Sequence, residues 1–196
     1  MWFLQFVPAV LYYLGTSESK TKFPATISFT IRKGIPKWAQ HMIWMRGWWH
    51  TYAVLSKKGR FTSIFSKQMI ATGIVATWLF PVGKSEAVDR VHFVTSALYM
   101  IDHICLLQLL GIRSIYKVGF YLSFLLMATA LFFRKKMEQL ARLPSEGDVD
   151  NNQLEALREM QLKGPAKRKL WWLEGAVMFF ENSLFFSFVS GMTSGM

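Results

Sequence analysis

The chain has 196 residues, 52% of them hydrophobic and 16% aromatic, and 18% charged, where a soluble domain carries about 25% charged residues. Mean hydropathy is +0.23 and the apolar residues gather into long runs, which argues against an ordinary soluble globule and for a single multi-pass membrane domain over 1–196. The net charge of +11 comes with no nucleic-acid recognition motif, so lipid headgroups rather than nucleic acid are the expected partners of the basic residues.

A bilayer core of about 30 Å needs roughly 20 apolar residues per spanning helix. Six candidates follow in chain order. Trp2–Leu14 is short, lacks the basic start and small-residue cleavage site of a signal peptide, and reads as a retained first segment. Trp38–Leu55 holds His41, Arg46 and His50, so it either spans the membrane or lies on it. Gln68–Val82 ends at Pro81 and Gly83, and the charged turn KSEAVDR follows. Val88–Ile112 and Ile115–Phe133 come next, and Leu170–Gly191 is last. Strand alternation persists nowhere, and an open sheet edge cannot face lipid. The expected fold is therefore an all-α transmembrane bundle of five or six helices. Between the last two lies a polar loop, 134–169, in which NNQLEALREMQLKG reads as a short water-exposed helix that rests on the membrane or contacts a partner protein. Lysine and arginine concentrate in the first, third and fifth loops of the six-helix arrangement, which puts both tails outside the cytosol. If 38–55 lies on the membrane, that bias vanishes.

The polar residues inside these runs are the candidate site. His92, Ser96, Tyr99 and His103 fall near one helical face, with Asp102 to its side. Intramembrane polar groups face the bundle interior or a cavity, so the stripe is either a polar pocket for a lipid headgroup or interhelical bonding that holds the bundle. In the last segment Glu174 and Glu181 share a face, with Asn182 beside them, and His92, His50 or Arg46 are the candidate partners of Glu174. Arg46, Trp48, Trp49 and His50 read as interfacial anchors.

No metal or cofactor is expected. The histidines form no HxxxH or HExxH pair, and His92 and His103 stand about 16 Å apart along a helix. The lone Cys105 gives neither an intrachain disulfide nor a cysteine zinc site. Gly-rich phosphate loops, catalytic serine motifs and CxxC are absent from the sequence.

Several stretches fall in an order that resembles the six-helix family of damage-regulated autophagy modulators, which includes GPI-anchor lipid-remodelling membrane proteins. FLQFVPAVLYYLG is similar to its opening helix. FPATIS, Phe23–Ser28, followed by Pro36, is similar to its first-loop motif. GIVATWLFPV with Val91 and His92, ALYMIDHICLLQLL with Gln108, and WWLEGAVMFF with Glu174 are similar to its later helices. The resemblance implies a non-catalytic role in endomembrane lipid handling, autophagy or trafficking, in the lysosome, Golgi or endoplasmic reticulum. It also implies a pocket between His92 and Glu174, shaped by Pro24 and Ser28.

The residues alone leave two alternatives open. One is an accessory subunit of a large assembly such as a mitochondrial inner-membrane respiratory complex, with 134–169 as its contact arm. The other is an intramembrane hydrolase or acyltransferase using Asp102, His103 and Glu181.

Overall fold

The computed structural model of the chain describes residues 10, 11, 14, 27, 34–82, 85–144, 149 and 151–194. Six helices organise them: α1 (Gly34–Leu55), α2 (Arg60–Ile74), α3 (Glu86–Leu109), α4 (Ser114–Leu140), α5 (Asn151–Gln161) and α6 (Gly164–Ser194). The fold is all-α, and no strand occurs among the described residues. The expected first segment, Trp2–Leu14, lies almost wholly outside them.

Local chemistry sets the helix ends. Pro36 and Pro165 sit in the first turns of α1 and α6, where a missing N–H breaks no intrahelical bond. The α1–α2 turn is tied by Thr62, whose hydroxyl donates to the carbonyls of Leu55 at 3.0 Å and Gly59 at 2.8 Å. Ser85 caps α3 by accepting from the Val88 N–H at 3.3 Å, and Glu86 and Asp89 place negative charge in the first turn, where the helix dipole favours it. At the end of α4 the N–H of Leu143 donates to Glu138 O at 2.9 Å and that of Arg142 to Gln139 O at 3.0 Å. This is a Schellman closure, with Arg142 at φ 57° in the position glycine usually holds.

The α2 helix begins at Arg60 and runs on through a π turn, Val75–Leu79, so its start lies N-terminal to the expected Gln68. The sequence hid that start because the inward residues are polar: Thr62 and Ser66 are both buried.

The long helices run side by side. Going down α1, His41 packs on Trp78 at 4.7 Å between ring centroids, the Trp48 indole donates to Tyr99 Oη at 3.1 Å, and Leu55 meets Thr62. These contacts make α1 and α2 antiparallel and align α1 with the length of α3. At the far end Val54 and Leu55 share a small cavity of about 70 Å³ with Leu110 and Gly191. The α4 and α6 helices form the most extensive antiparallel pair. It is drawn close at Gly119, where a Cβ would stand 2.8 Å from Ser187 Oγ. Phe185 and Phe188 of α6 pack on His103, so α6 closes the core beneath α3.

Among the described residues, three helices are long and apolar enough to cross a membrane: Glu86–Leu109, Ser114–Leu140 and Gly164–Met192. Within the protein 28% and 22% of the first two apolar windows are buried, against 50% of the third, so α6 is the central helix and α3 and α4 present apolar surface outward. Of the expected five or six helices, three among the described residues meet that length and composition. The α1 helix is of comparable length but carries Lys37, Gln40, His41, Arg46 and His50, and the apolar part of α2 is shortened by Arg60, Lys67 and Gln68.

Polar side chains enter the interior while many large apolar ones face outward. Gln40, His41, Thr51, Thr77, His92, Asp102 and Asn182 are buried, whereas Trp38, Met42, Val94, Val118, Leu122, Leu125 and Phe132 are exposed. Soluble monomers rarely expose apolar patches of more than a few hundred Å². Such a surface suits a membrane protein.

Gly73 carries the α1–α2–α3 junction. A Cβ there would lie 2.5 Å from Trp48 Cζ2 and 3.1 Å from the Tyr99 ring, and two rigid rings cannot yield cheaply. The Gly73→Ala variant is expected to lose about 1–3 kcal/mol through overpacking, read as a lower melting temperature of the detergent-solubilised protein. An unchanged melting temperature would refute this packing.

Candidate functional site

Two groups of polar residues inside the bundle make contacts between helices, one along α2 and α3 and one where α4, α5 and α6 meet.

The first group starts from a backbone defect. In the π turn the N–H of Phe80 donates to Val75 O at 3.0 Å, so it is not available to Ala76 O. The next donor in a π ladder would come from residue 81, and Pro81 has no N–H. The Ala76 carbonyl is left without a helical partner, and such a group in an apolar setting is costly. His92, 2% exposed, supplies the donor: its Nδ1 stands 2.7 Å from Ala76 O and 2.9 Å from Phe80 O. Carbonyls only accept, so Nδ1 carries the proton. His92 therefore caps the end of α2.

Below it, Ser96 is half-buried on α3. Tyr99 accepts from Trp48, and His103 Nδ1 donates to Tyr99 O at 2.8 Å while its ring packs between Tyr99, Phe185 and Phe188. Asp102 turns toward α2, where its Oδ2 accepts from the Thr72 hydroxyl at 3.2 Å. Its Oδ1 has no hydrogen-bond partner. Asp102 and His103 thus leave α3 toward different neighbours and do not form an acid–base pair. Trp48 is 6% exposed, which corrects its expected place as an interfacial anchor: the flat Gly73 surface admits its indole into the core. Arg46, Trp49 and His50 are exposed.

The second group is an ion cluster. Arg158 of α5 pairs through Nη2 with Glu138 of α4 and through Nη1 with Glu174 of α6 at 3.3 Å. Arg134 Nε lies 3.9 Å from the same Glu138 oxygen. All four residues are at most 6% exposed, and among the described residues two cations face two anions. Around it Leu143, Leu154, Leu162 and Leu170 form a second apolar core.

This arrangement corrects two expectations. Glu174 is met by Arg158 rather than by His92, His50 or Arg46, because α5 folds back over the end of the α4–α6 pair. The segment 134–169 is not simply an exposed loop. Its first residues complete α4, its last begin α6, and α5 is anchored by Leu154 and Arg158.

The polar pocket expected from His92, Ser96, Tyr99, Asp102, His103, Glu174 and Glu181 is thus divided among separate contacts. Glu181 Oε2 accepts the Ile27 N–H at 2.7 Å. Ile27 belongs to the FPATIS stretch, whose Pro24 and Ser28 lie outside the described residues. Glu138, Arg134, Arg158 and Thr72 were not singled out from sequence. The spacing Arg134 to Glu138 just beyond an apolar run, and an arginine on the Leu154–Leu157 face of α5, were the available signals.

Among the described residues, no group of three His, Cys, Asp or Glu side chains is placed to hold a metal ion. No family model matches the chain, and no curated protein or solved structure is significantly similar to it.

Two substitutions test the capping role of His92. His92→Ala leaves buried carbonyls unpaired, a loss of about 1–3 kcal/mol. His92→Asn keeps an N–H donor near the Nδ1 position and should recover part of it. Thermal melts in detergent report the difference, and equal stability of the two variants would contradict the cap.

Proposed function

We propose that this chain is a non-catalytic integral membrane protein that serves as an accessory subunit of a larger membrane assembly. The observation that supports this most directly is the use made of its ionisable residues inside the bundle. His92 bonds to backbone carbonyls, Glu181 to a backbone N–H, and Glu138, Arg158 and Glu174 to one another. The His92 and Arg158 contacts hold one helix to the next, as interhelical hydrogen bonds do in membrane proteins, and Glu181 ties Ile27 to α6. A catalytic pair would instead need side chains aimed at a shared substrate position, and Asp102 and His103 point to different helices. The cavity of about 70 Å³ near Leu55 is well below the about 300–1,000 Å³ of typical small-molecule sites, which weighs against a lipid-transfer role at that place.

Native electrophoresis of gently solubilised source membranes tests the proposal, with mass spectrometry of the band containing this chain. The expected result is co-migration in an assembly of fixed composition, far above the 22.7 kDa of the chain. Migration of the chain by itself with bound lipid would overturn it and favour endomembrane lipid handling.

A further inference from the structure

Helix α1 has an outward face that lipid alone does not suit. Ile35, Trp38, Met42, Met45 and Trp49 are exposed along it at spacings of three and four, one continuous stripe. Among them Arg46 and His50 are also exposed.

Their depth follows from the packing. Trp48, two residues beyond Arg46, bonds to Tyr99 in the middle third of α3, a helix long and apolar enough to cross a membrane. Leu55 lines the same cavity as Leu110, at the far end of that helix. Arg46 is about 13 Å from Leu55 along α1, close to half the thickness of a bilayer core of about 30 Å. Arginine at that depth faces a protein interior or a polar partner, not hydrocarbon.

Resting on the subunit reading above, we infer that the α1 face centred on Arg46 docks a transmembrane helix of a different protein, and that this helix carries an aspartate or glutamate opposite Arg46. Charge complementarity selects the occupant. A carboxylate meets the guanidinium bidentately and removes the cost of a lone cation at mid-depth. A second copy of this chain does not fit: two copies inserted in one orientation and paired symmetrically along α1 place Arg46 against Arg46. Headgroup phosphates lie too far along the helix. The flanking residues have the make-up of a contact core, since tryptophan, methionine and arginine are enriched at protein interfaces.

The test uses the full chain in its native membranes. A photo-crosslinking amino acid at Met45 or Trp49 is expected to link to an apolar segment of membrane-spanning length in another protein, with an acidic residue within one turn of the cross-link. In parallel, Arg46→Lys should keep most of the assembly-bound fraction, Arg46→Leu should lose several-fold, and Arg46→Glu more. Replacing the partner's acid with lysine should restore Arg46→Glu. Because Arg46 is exposed, the detergent melting temperatures of these variants should match the parent chain, which separates lost docking from lost folding. Cross-links only to lipid or to a second copy, cross-links to a helix without an acid, or unchanged assembly of Arg46→Glu would overturn the inference while leaving the subunit reading standing. Migration of the parent chain by itself would overturn both.

Discussion

A polar group carried into apolar surroundings has to be met by another polar group of the same protein, because no water is there to meet it. That constraint orders this structure. It explains why the buried polar residues of the bundle meet one another and why long helix faces can be apolar outside. It also explains why single contacts such as His92 with Ala76 fix the relation between whole helices. In water the hydrophobic effect would drive the assembly. In lipid the tails are as apolar as leucine, and packing and hydrogen bonds carry more of the work.

The constraint acts at three scales. Within a helix end, Pro81 and the π turn strip Ala76 O of its ladder partner, and a histidine sixteen residues later replaces it. Between helices, the Trp48 indole on the Tyr99 hydroxyl and the Thr72 hydroxyl on the Asp102 carboxylate lock α1, α2 and α3 around Gly73. At the end of the α4–α6 pair, four buried charges and a ring of leucines seat the short helix α5. A buried ion pair is not by itself a source of stability, since desolvation offsets much of its Coulomb gain. Its weight lies in specificity: with Glu138 and Glu174 buried, the arrangement that brings Arg158 between them is far preferable to any that leaves them unpaired.

The sequence made the apolar helices α3, α4 and α6 legible, because runs of that length have few other homes. It also made plain that His92, Asp102 and Glu174 needed partners. Which partners they find was not legible. The role of His92 depends on a π turn that no periodicity announces, and that of Glu174 on how a helix twenty residues upstream folds back. Trp48 looked like an interfacial anchor because its fit against Gly73 is a tertiary fact. The start of α2 was missed for the related reason that Thr62 and Ser66, polar and buried, lower the hydropathy of a segment that is nonetheless interior. In each case the misleading residue is a polar one turned inward, and inward direction is set by packing rather than by local pattern.

The claim that the interior charges are architecture is tested most directly at the ion cluster, by comparing one broken pair with complete replacement. The measurement is the thermal stability and native-gel migration of Arg158→Met alone and of a variant in which Arg134, Glu138, Arg158 and Glu174 are all replaced by leucine or methionine. The account predicts that the single change is strongly destabilising, by about 3–5 kcal/mol, because it removes the guanidinium that two buried carboxylates share. It predicts that the fully apolar variant regains stability and migrates like the parent chain. A fully apolar variant that folds well yet no longer migrates with its assembly would contradict the account, and would show that those charges serve a partner or ligand rather than the fold.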